Sequence, residues 1–195
     1  GAYDNNLLCI AEKEVFAVDQ IFDRLMAAME RAGAVRLNTA EINSLTKEAI
    51  AAVGQGDKKH DAANKDYIGK DAAVLARAAG KTVAPEAEMI FGETEESHPF
   101  VEVEQMMPFV PFVRCRDVDE AIEKARRSEH GFRHTAIIHS TNVHNMTKMG
   151  KIMDTTLFVK NGPCMAALGN GGEGYGSYSI AGPTGSPSTS PRRPR

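Results

Sequence analysis

Short apolar runs alternate with segments of helical periodicity along most of the chain. Residues 14–18 have the pattern of a strand, and apolar residues at helical spacing then follow from Asp19, the expected N-cap, to Gly33. Strands and helices that alternate in this way predict an α/β fold, with a mostly parallel sheet and flanking helices. The other predicted strands are 34–38, 88–93, Phe109–Cys115, 134–140 and 156–161, and the other predicted helices are 39–53, 70–79, 117–128 and 142–153.

Capping signals mark the start of two of these helices. Asn38 and Glu41 have the spacing of a capping box, and the helix that they begin is predicted to run to Gly54, with a polar surface loop over 55–67. Asp117 begins a later helix in the same way, with Glu120 three residues on.

Pro111 lies inside the predicted strand Phe109–Cys115. Proline cannot donate a hydrogen bond to a neighbouring strand. The sequence therefore predicts an edge position, or the start of a strand, at this point.

The end of the chain changes in composition. A glycine-rich extension leads to the low-complexity sequence SPSTSPRRPR. We therefore expect one α/β domain over residues 1–185, and a tail over 186–195 that is extended or disordered without a partner.

Charge and cysteine content narrow the function classes. The chain has 195 residues and a net charge of −3, from 23 basic and 26 acidic residues, which argues against nucleic acid or an acidic membrane as a partner. No apolar run approaches the roughly 20 residues of a membrane span. The cysteines, Cys9, Cys115 and Cys164, are odd in number and have no metal-site spacing, so a reducing, cytoplasmic compartment is expected.

Two motifs are weak candidates for a ligand site. The sequence GNGGEG, residues 169–174, satisfies G-x-G-x-x-G, but the residues after it alternate like a strand, and no acidic residue follows at the expected distance. A tight glycine turn is favoured. Four histidines cluster between 130 and 144 without a zinc-site spacing, so we expect no metal.

Cys9 has two interpretations on spacing alone. A free cysteine between Leu8 and Ile10 is more often a small buried hydrophobe than a nucleophile. The preceding Asn5 and Asn6 favour a turn, whose N–H groups can stabilise a thiolate or an oxyanion. Glu104 has no role that its spacing alone predicts.

Five segments carry a resemblance to a known family. They are DNNLLCIAEKEVF, YIGKDAAVLARAAG, HPFVEVEQMMPFVPFV, EHGFRHTAIIHS and FVKNGPC with GNGGEGYGSYSIAGPTG. In this order, from residue 1 to about 185, the chain resembles the CoA-acylating aldehyde dehydrogenases of bacterial microcompartments, which oxidise propionaldehyde or acetaldehyde. The resemblance covers the catalytic domain and implies that the family's N-terminal NAD-binding domain is absent from this chain.

The resemblance implies a role for four residues. Cys9 occupies the place of the nucleophile, which forms a thiohemiacetal and then a thioester. Glu104, in the segment EQMMP, occupies the place of the glutamate that holds the nicotinamide ribose of NAD. Leu8 and Ile10 would line the acyl pocket.

The resemblance also implies partners. These are a short-chain aldehyde, coenzyme A as co-substrate, a homo-oligomer in the full-length protein, and a microcompartment shell in a bacterial cytoplasm. Two alternatives remain open: an α/β structural or oligomerisation domain that is silent in isolation, and a cysteine hydrolase, which would need a histidine beside Cys9.

Overall fold

The computed structural model describes residues 1–56, 60–169 and 171, and it divides the chain into two compact units, Gly1–Ala121 and Ile122 onward. The strands are β1 Val15–Val18, β2 Val35–Arg36, β3 Ile50–Val53, β4 His60–Ala63, β5 Ile90–Thr94, β6 Phe109–Cys115, β7 Thr135–Ile138 and β8 Leu157–Lys160. The helices are α1 Asp19–Arg31, α2 Thr39–Ala49, α3 Ala72–Ala78, α4 Pro99–Glu102, α5 Val118–Ser128 and α6 Val143–Met153.

The first unit is built on a four-stranded parallel sheet in the order β1-β6-β5-β2. Apolar side chains on its two faces enter two separate cores. Phe91, Val110 and Phe112 pack with α1 on one face, whereas Ile90 and Phe109 pack with α2 and α3 on the other. A parallel sheet covered on both sides needs strands with near-continuous apolar runs, and β6 has this pattern from Phe109 to Val113. The predicted α/β class with a mostly parallel sheet is confirmed.

The helix predicted to run to Gly54 is shorter than expected. α2 ends at Ala49, and Ile50–Val53 instead pair with His60–Ala63 as an antiparallel hairpin. The prediction of a loop over 55–67 is therefore wrong at His60–Ala63. The apolar residues of β3 happen to continue the helical spacing of α2. Tertiary pairing therefore overrides the local pattern at this point.

The predicted helix starts are mostly confirmed. Asn38 and Glu41 form the capping box, with hydrogen bonds of 2.8 and 3.0 Å, and Asp117 Oδ1 accepts the amide of Glu120 at 2.9 Å. Asp19 is not an N-cap. It is the first helical residue after Val18, where its carboxylate lies at the positive end of the helix dipole and bonds to Arg114.

The prediction of an edge position for Pro111 is wrong in one respect, because β6 is an inner strand. Its pairing with β5 spans Phe109 to Val113, whereas its pairing with β1 begins only at Phe112. At Pro111 itself, β6 therefore has a single neighbouring strand, which limits the cost of the missing N–H group.

The second unit holds the parallel pair β7 and β8, connected by α6. Asn142 caps α6 by accepting the amides of His144 and Asn145. A short 3₁₀ turn, Cys164–Leu168, follows β8. Most of the GNGGEG motif and the tail 186–195 lie outside the described residues.

Candidate active site

Cys9 is exposed at a turn just before β1, whereas Cys115 and Cys164 are buried. The amide of Ala11 donates to the carbonyl oxygen of Leu8 at 3.0 Å and closes the turn around Cys9. The more frequent interpretation of a lone cysteine, a buried hydrophobe, therefore does not apply to Cys9. An exposed thiol in a fixed turn can reach an electrophile.

The segment that carries Cys9 is closed at its base. We call residues 6–13 the cysteine loop. At one end, Asn6 is fully buried and donates its side-chain amide to the carbonyl oxygen of Glu12 at 2.9 Å. At the other end, the ammonium of Lys13 donates to both the backbone oxygen and the side-chain oxygen of Asn6. Three hydrogen bonds therefore join the two ends of the loop, with Cys9 between them.

The backbone before the loop is strained. Asp4, Asn5 and Asn6 all have a positive φ, at 49°, 50° and 62°. Such left-handed conformations cost roughly 1–2 kcal/mol for each residue other than glycine, and Asn and Asp tolerate them best. Strain of this kind persists only where the surroundings hold it, and it is concentrated at functional sites.

Asn5 provides one of the contacts that hold this backbone. Its side-chain amide donates to the carbonyl oxygen of Gly69 at 3.0 Å and to Asp71 Oδ1 at 2.9 Å. The amide of Gly69 donates in turn to the carbonyl oxygen of Met106 at 3.0 Å. Gly69 therefore connects the approach to the cysteine loop with the segment that contains Glu104.

Glu104 lies in the connection between α4 and β6, with 54% of its side chain exposed. The next residue, Gln105, is fully buried and donates its side-chain amide to the carbonyl oxygens of Lys13, at 2.8 Å, and Phe109, at 3.1 Å. A Glu104 carboxylate oxygen lies 4.0 Å from the ammonium of Lys13. The structure thus brings the two segments of the predicted site together through Lys13.

Glu14 adds a second carboxyl group beside Lys13. Burial raises the pKa of Glu14 from 4.5 to about 7; the charge of Lys13 lowers it, and those of Glu102 and Glu104 raise it further. Glu14 lies between the cysteine loop and β1, which begins at Val15. The site therefore contains a carboxyl group that titrates near neutral pH.

The two predicted pocket residues differ in exposure. Leu8 is half-buried, whereas Ile10 is 5% exposed and belongs to the core. Leu8 can present a surface to a small acyl group, and Ile10 supports the loop from inside.

Sequence reasoning missed Lys13, Gln105 and Gly69. Each has a hydrogen-bond partner between seven and 92 residues away along the chain. The only local signal was the pair Asn5 and Asn6, which indicated a turn.

Within the described part of the chain, no group of three or more histidine, cysteine or carboxylate side chains is arranged to hold a metal ion. Over the same residues, no helix has both the length and the apolar character of a membrane span.

Comparisons with known proteins match nearly the whole chain to one kind of enzyme. It is 41% identical, over 192 residues, to the acetylating acetaldehyde dehydrogenase EutE of Salmonella typhimurium, with 98% of this chain and 41% of the relative covered. The chain is homologous to a segment of the CoA-acylating aldehyde dehydrogenases. It spans about two fifths of the length of the curated relatives that it matches. No family model matches the sequence.

Solved structures of acylating dehydrogenases agree with the fold. Propionaldehyde dehydrogenase of Rhodopseudomonas palustris with bound propionyl-CoA is 44% identical, with a TM-score of 0.85 over 94% of this chain and 39% of that one. The same enzyme is also known with bound CoA and an acylated cysteine. An engineered glycolyl-CoA reductase with bound NADP+ is 43% identical, with a TM-score of 0.85 over 94% of this chain and 40% of that one.

A microcompartment enzyme of the same family is also similar. Propionaldehyde dehydrogenase from the fucose utilisation microcompartment of Clostridium phytofermentans is 41% identical, with a TM-score of 0.84 over 94% of this chain and 40% of that one.

Proposed function

We propose that this chain is the cysteine-bearing catalytic segment of an NAD-dependent, CoA-acylating aldehyde dehydrogenase, with Cys9 as the nucleophile. The exposure of Cys9 on a closed loop carries the proposal, because a nucleophile must be both accessible and fixed in position. The acylated cysteine of the Rhodopseudomonas palustris relative supports it.

The Cys9 thiolate attacks the carbonyl carbon of a short-chain aldehyde and forms a thiohemiacetal. The negative charge that develops on the oxygen needs preorganised donors, and the backbone amide of Cys9 is one candidate. Loss of a hydride and a proton converts the thiohemiacetal to a thioester on Cys9. The thiol of coenzyme A then attacks the thioester carbon, releases acyl-CoA and regenerates the Cys9 thiol.

Glu104 is the proposed contact to NAD, which accepts the hydride when it is bound. The exposed carboxylate has the right chemistry to accept hydrogen bonds from ribose hydroxyl groups. Leu8 and Ile10 are proposed to border the acyl group, Leu8 through its exposed surface and Ile10 from the core.

The remaining parts of such an enzyme would lie in the three fifths of the relatives that this chain does not match. We expect the main NAD-binding domain there, so this chain alone should neither bind NAD tightly nor oxidise aldehyde. A place in a bacterial microcompartment is a further part of the proposal, supported by the Clostridium phytofermentans relative. A homo-oligomer of the full-length protein stays a prediction that rests on the resemblance alone.

A segment-swap enzyme tests the proposal, in which this chain replaces the matching segment of Salmonella acetaldehyde dehydrogenase. We expect NADH formation that requires aldehyde and CoA together, and an acyl adduct on the peptide that contains Cys9. Cys9→Ala should abolish both, while Cys115→Ala and Cys164→Ala retain substantial activity. Activity that survives Cys9→Ala would contradict the assignment.

A further inference from the structure

We propose that Lys13 is a positioning residue, which holds the cysteine loop closed and keeps it in register with the segment that carries Glu104. This inference rests on the proposed function of Cys9 and Glu104. It assigns to Lys13 no contact with the substrate.

The first observation is that the Lys13 side chain is held in place by hydrogen bonds. Its ammonium has three N–H donors, and two acceptors of Asn6 lie within hydrogen-bond distance. Only 14% of the side chain is exposed. Holding a long, flexible lysine side chain in one geometry costs up to about 2 kcal/mol of rotamer entropy, so several charge-assisted hydrogen bonds are needed to offset that cost.

The second observation is the place of Asn6, which provides both acceptor oxygens. Asn6 is buried and left-handed, and it lies three residues before Cys9. Without the ammonium, its backbone and side-chain oxygens would lose this charged donor in a mostly buried place. The strained turn would then relax, and the cysteine loop would open at its base.

The third observation is that Lys13 also contacts the segment that contains Glu104. Its carbonyl oxygen accepts the side-chain amide of the buried Gln105, and its ammonium lies 4.0 Å from the carboxylate of Glu104. β1 begins at Val15, two residues later, and pairs with β6. One residue therefore links the thiol loop and the carboxylate segment at the edge of a rigid sheet, which is the support that a preorganised site requires.

A positioning role for Lys13 differs from a purely structural one in the kinetic parameter that its loss changes. Displacement of the thiol by about 1 Å is enough to slow a reaction by about two orders of magnitude. The substrate's own binding contacts are untouched by such a displacement. Loss of Lys13 should therefore lower kcat far more than it raises KM for the aldehyde.

Hydrogen exchange on this 195-residue chain tests the closure of the loop. The backbone amide of Leu7 donates to the carbonyl oxygen of Asp4, and that of Ala11 donates to the carbonyl oxygen of Leu8. The exchange rates of these two amides therefore report on loop closure. In Lys13→Met they should exchange at least about tenfold faster than in the parent chain, and in Lys13→Arg at nearly the parent rate. Lys81→Met is the matched control, since Lys81 likewise bonds a backbone oxygen, that of Arg36, and a carboxylate, that of Glu41.

Kinetics of the segment-swap enzyme test the catalytic consequence. Rates are expressed per Cys9 thiol that titrates while Cys115 and Cys164 stay protected, so that misfolded protein, in which all three thiols react, does not count. Lys13→Met should lower kcat by about 10- to 100-fold with less than about a threefold change in KM for the aldehyde, and Lys13→Arg should restore most of kcat. If Lys13→Met does not fold, Lys13→Gln replaces it, with the same expectations against Lys13→Arg.

The proposal is overturned if Lys13→Met and Lys81→Met give the same exchange at Leu7 and Ala11, or the same kcat per thiol. Activity that survives Cys9→Ala would instead refute the proposed function. The exchange measurement on the chain alone does not depend on that activity, so the two failures are distinguishable.

Discussion

The side-chain amide of Asn5 donates to the carbonyl oxygen of Gly69, 64 residues further along the chain, at 3.0 Å. Gly69 has a φ of +69°, and a Cβ atom built on it would lie 3.3 Å from Cδ1 of Leu7, at the edge of the cysteine loop. The geometry of the approach to Cys9 thus depends on a position where the backbone is left-handed and an added methyl group would press on the side chain of Leu7.

Gly69→Ala should therefore destabilise the chain by about 1–3 kcal/mol, because the left-handed backbone strains alanine and the new methyl group displaces Leu7. Urea denaturation measures the change, and NMR of the Leu7 methyl groups locates it. Gly80→Ala is the control, since Gly80 has a φ of +81° but open space around its Cβ position. Identical methyl spectra in the two variants would contradict the prediction.

The thiol of Cys9 should react selectively. In the folded chain, iodoacetamide should label Cys9 at least about 100-fold faster than Cys115 or Cys164, which are 1% and 2% exposed, because reaction requires access to the sulfur. Peptide mass spectrometry over a time course gives the three rates. In urea, all three should react at similar rates; comparable labelling without urea would refute the prediction.

Glu104→Gln in the segment-swap enzyme should slow single-turnover NADH formation by about tenfold or more, with a smaller effect on the Kd of NAD, because the carboxylate orients the ring in the transition state. Stopped-flow absorbance and calorimetry measure the two quantities. Glu102→Gln, at the exposed end of α4, is the control for the loss of one charge. An unchanged single-turnover rate would exclude the role.

Glu14 should make stability depend on pH. Its pKa is about 7 in the folded chain against an ordinary 4.5, so the folded state binds the proton more tightly. The free energy of unfolding should therefore fall as pH rises from 4.5 to 7, by up to about 3 kcal/mol, and then level off. Glu14→Gln should remove this fall in denaturation curves taken at pH 5 and pH 8, whereas Glu86→Gln, at an exposed position, should retain it.

His98 should make the chain less stable at low pH, whereas Glu14 makes it less stable at high pH. Burial lowers its pKa from 6.5, and its Nδ1 accepts the amide of Phe100 at 3.2 Å at the start of α4. The folded state disfavours the protonated ring, so the free energy of unfolding should fall as pH drops below 6.5. His98→Asn keeps a capping acceptor and should flatten this loss, measured in the Glu14→Gln background. The exposed His144→Asn should leave it unchanged; a flattened curve there would contradict the assignment.

The sheet strands and most helix starts could be predicted from the sequence because periodicity and capping are local. The hairpin of β3 and β4 could not, since its strands lack an alternating pattern of their own and the apolar residues of β3 extend that of α2. α4 spans only four residues, too few for a helical period, and the only signal at its start is Pro99.

Some residues of the candidate site could likewise be predicted from the sequence, and others could not. Cys9 and Glu104 could be named from a resemblance, because each stands in a recognisable segment. Lys13 could not, because its role depends on where Asn6 and Gln105 lie after the sheet has formed. Contacts of this kind become readable only from three-dimensional coordinates.

Asp4, Asn5 and Asn6 all have a positive φ, but they should tolerate different substitutions. Glycine would relieve the backbone at each, but at Asn5 and Asn6 it would discard side-chain hydrogen bonds that fix the turn. Asp4 is exposed, and its backbone oxygen, which accepts the amide of Leu7, survives any substitution. Variation without loss of the loop is therefore expected at Asp4 among glycine, asparagine and aspartate, while β-branched residues are excluded from all three positions.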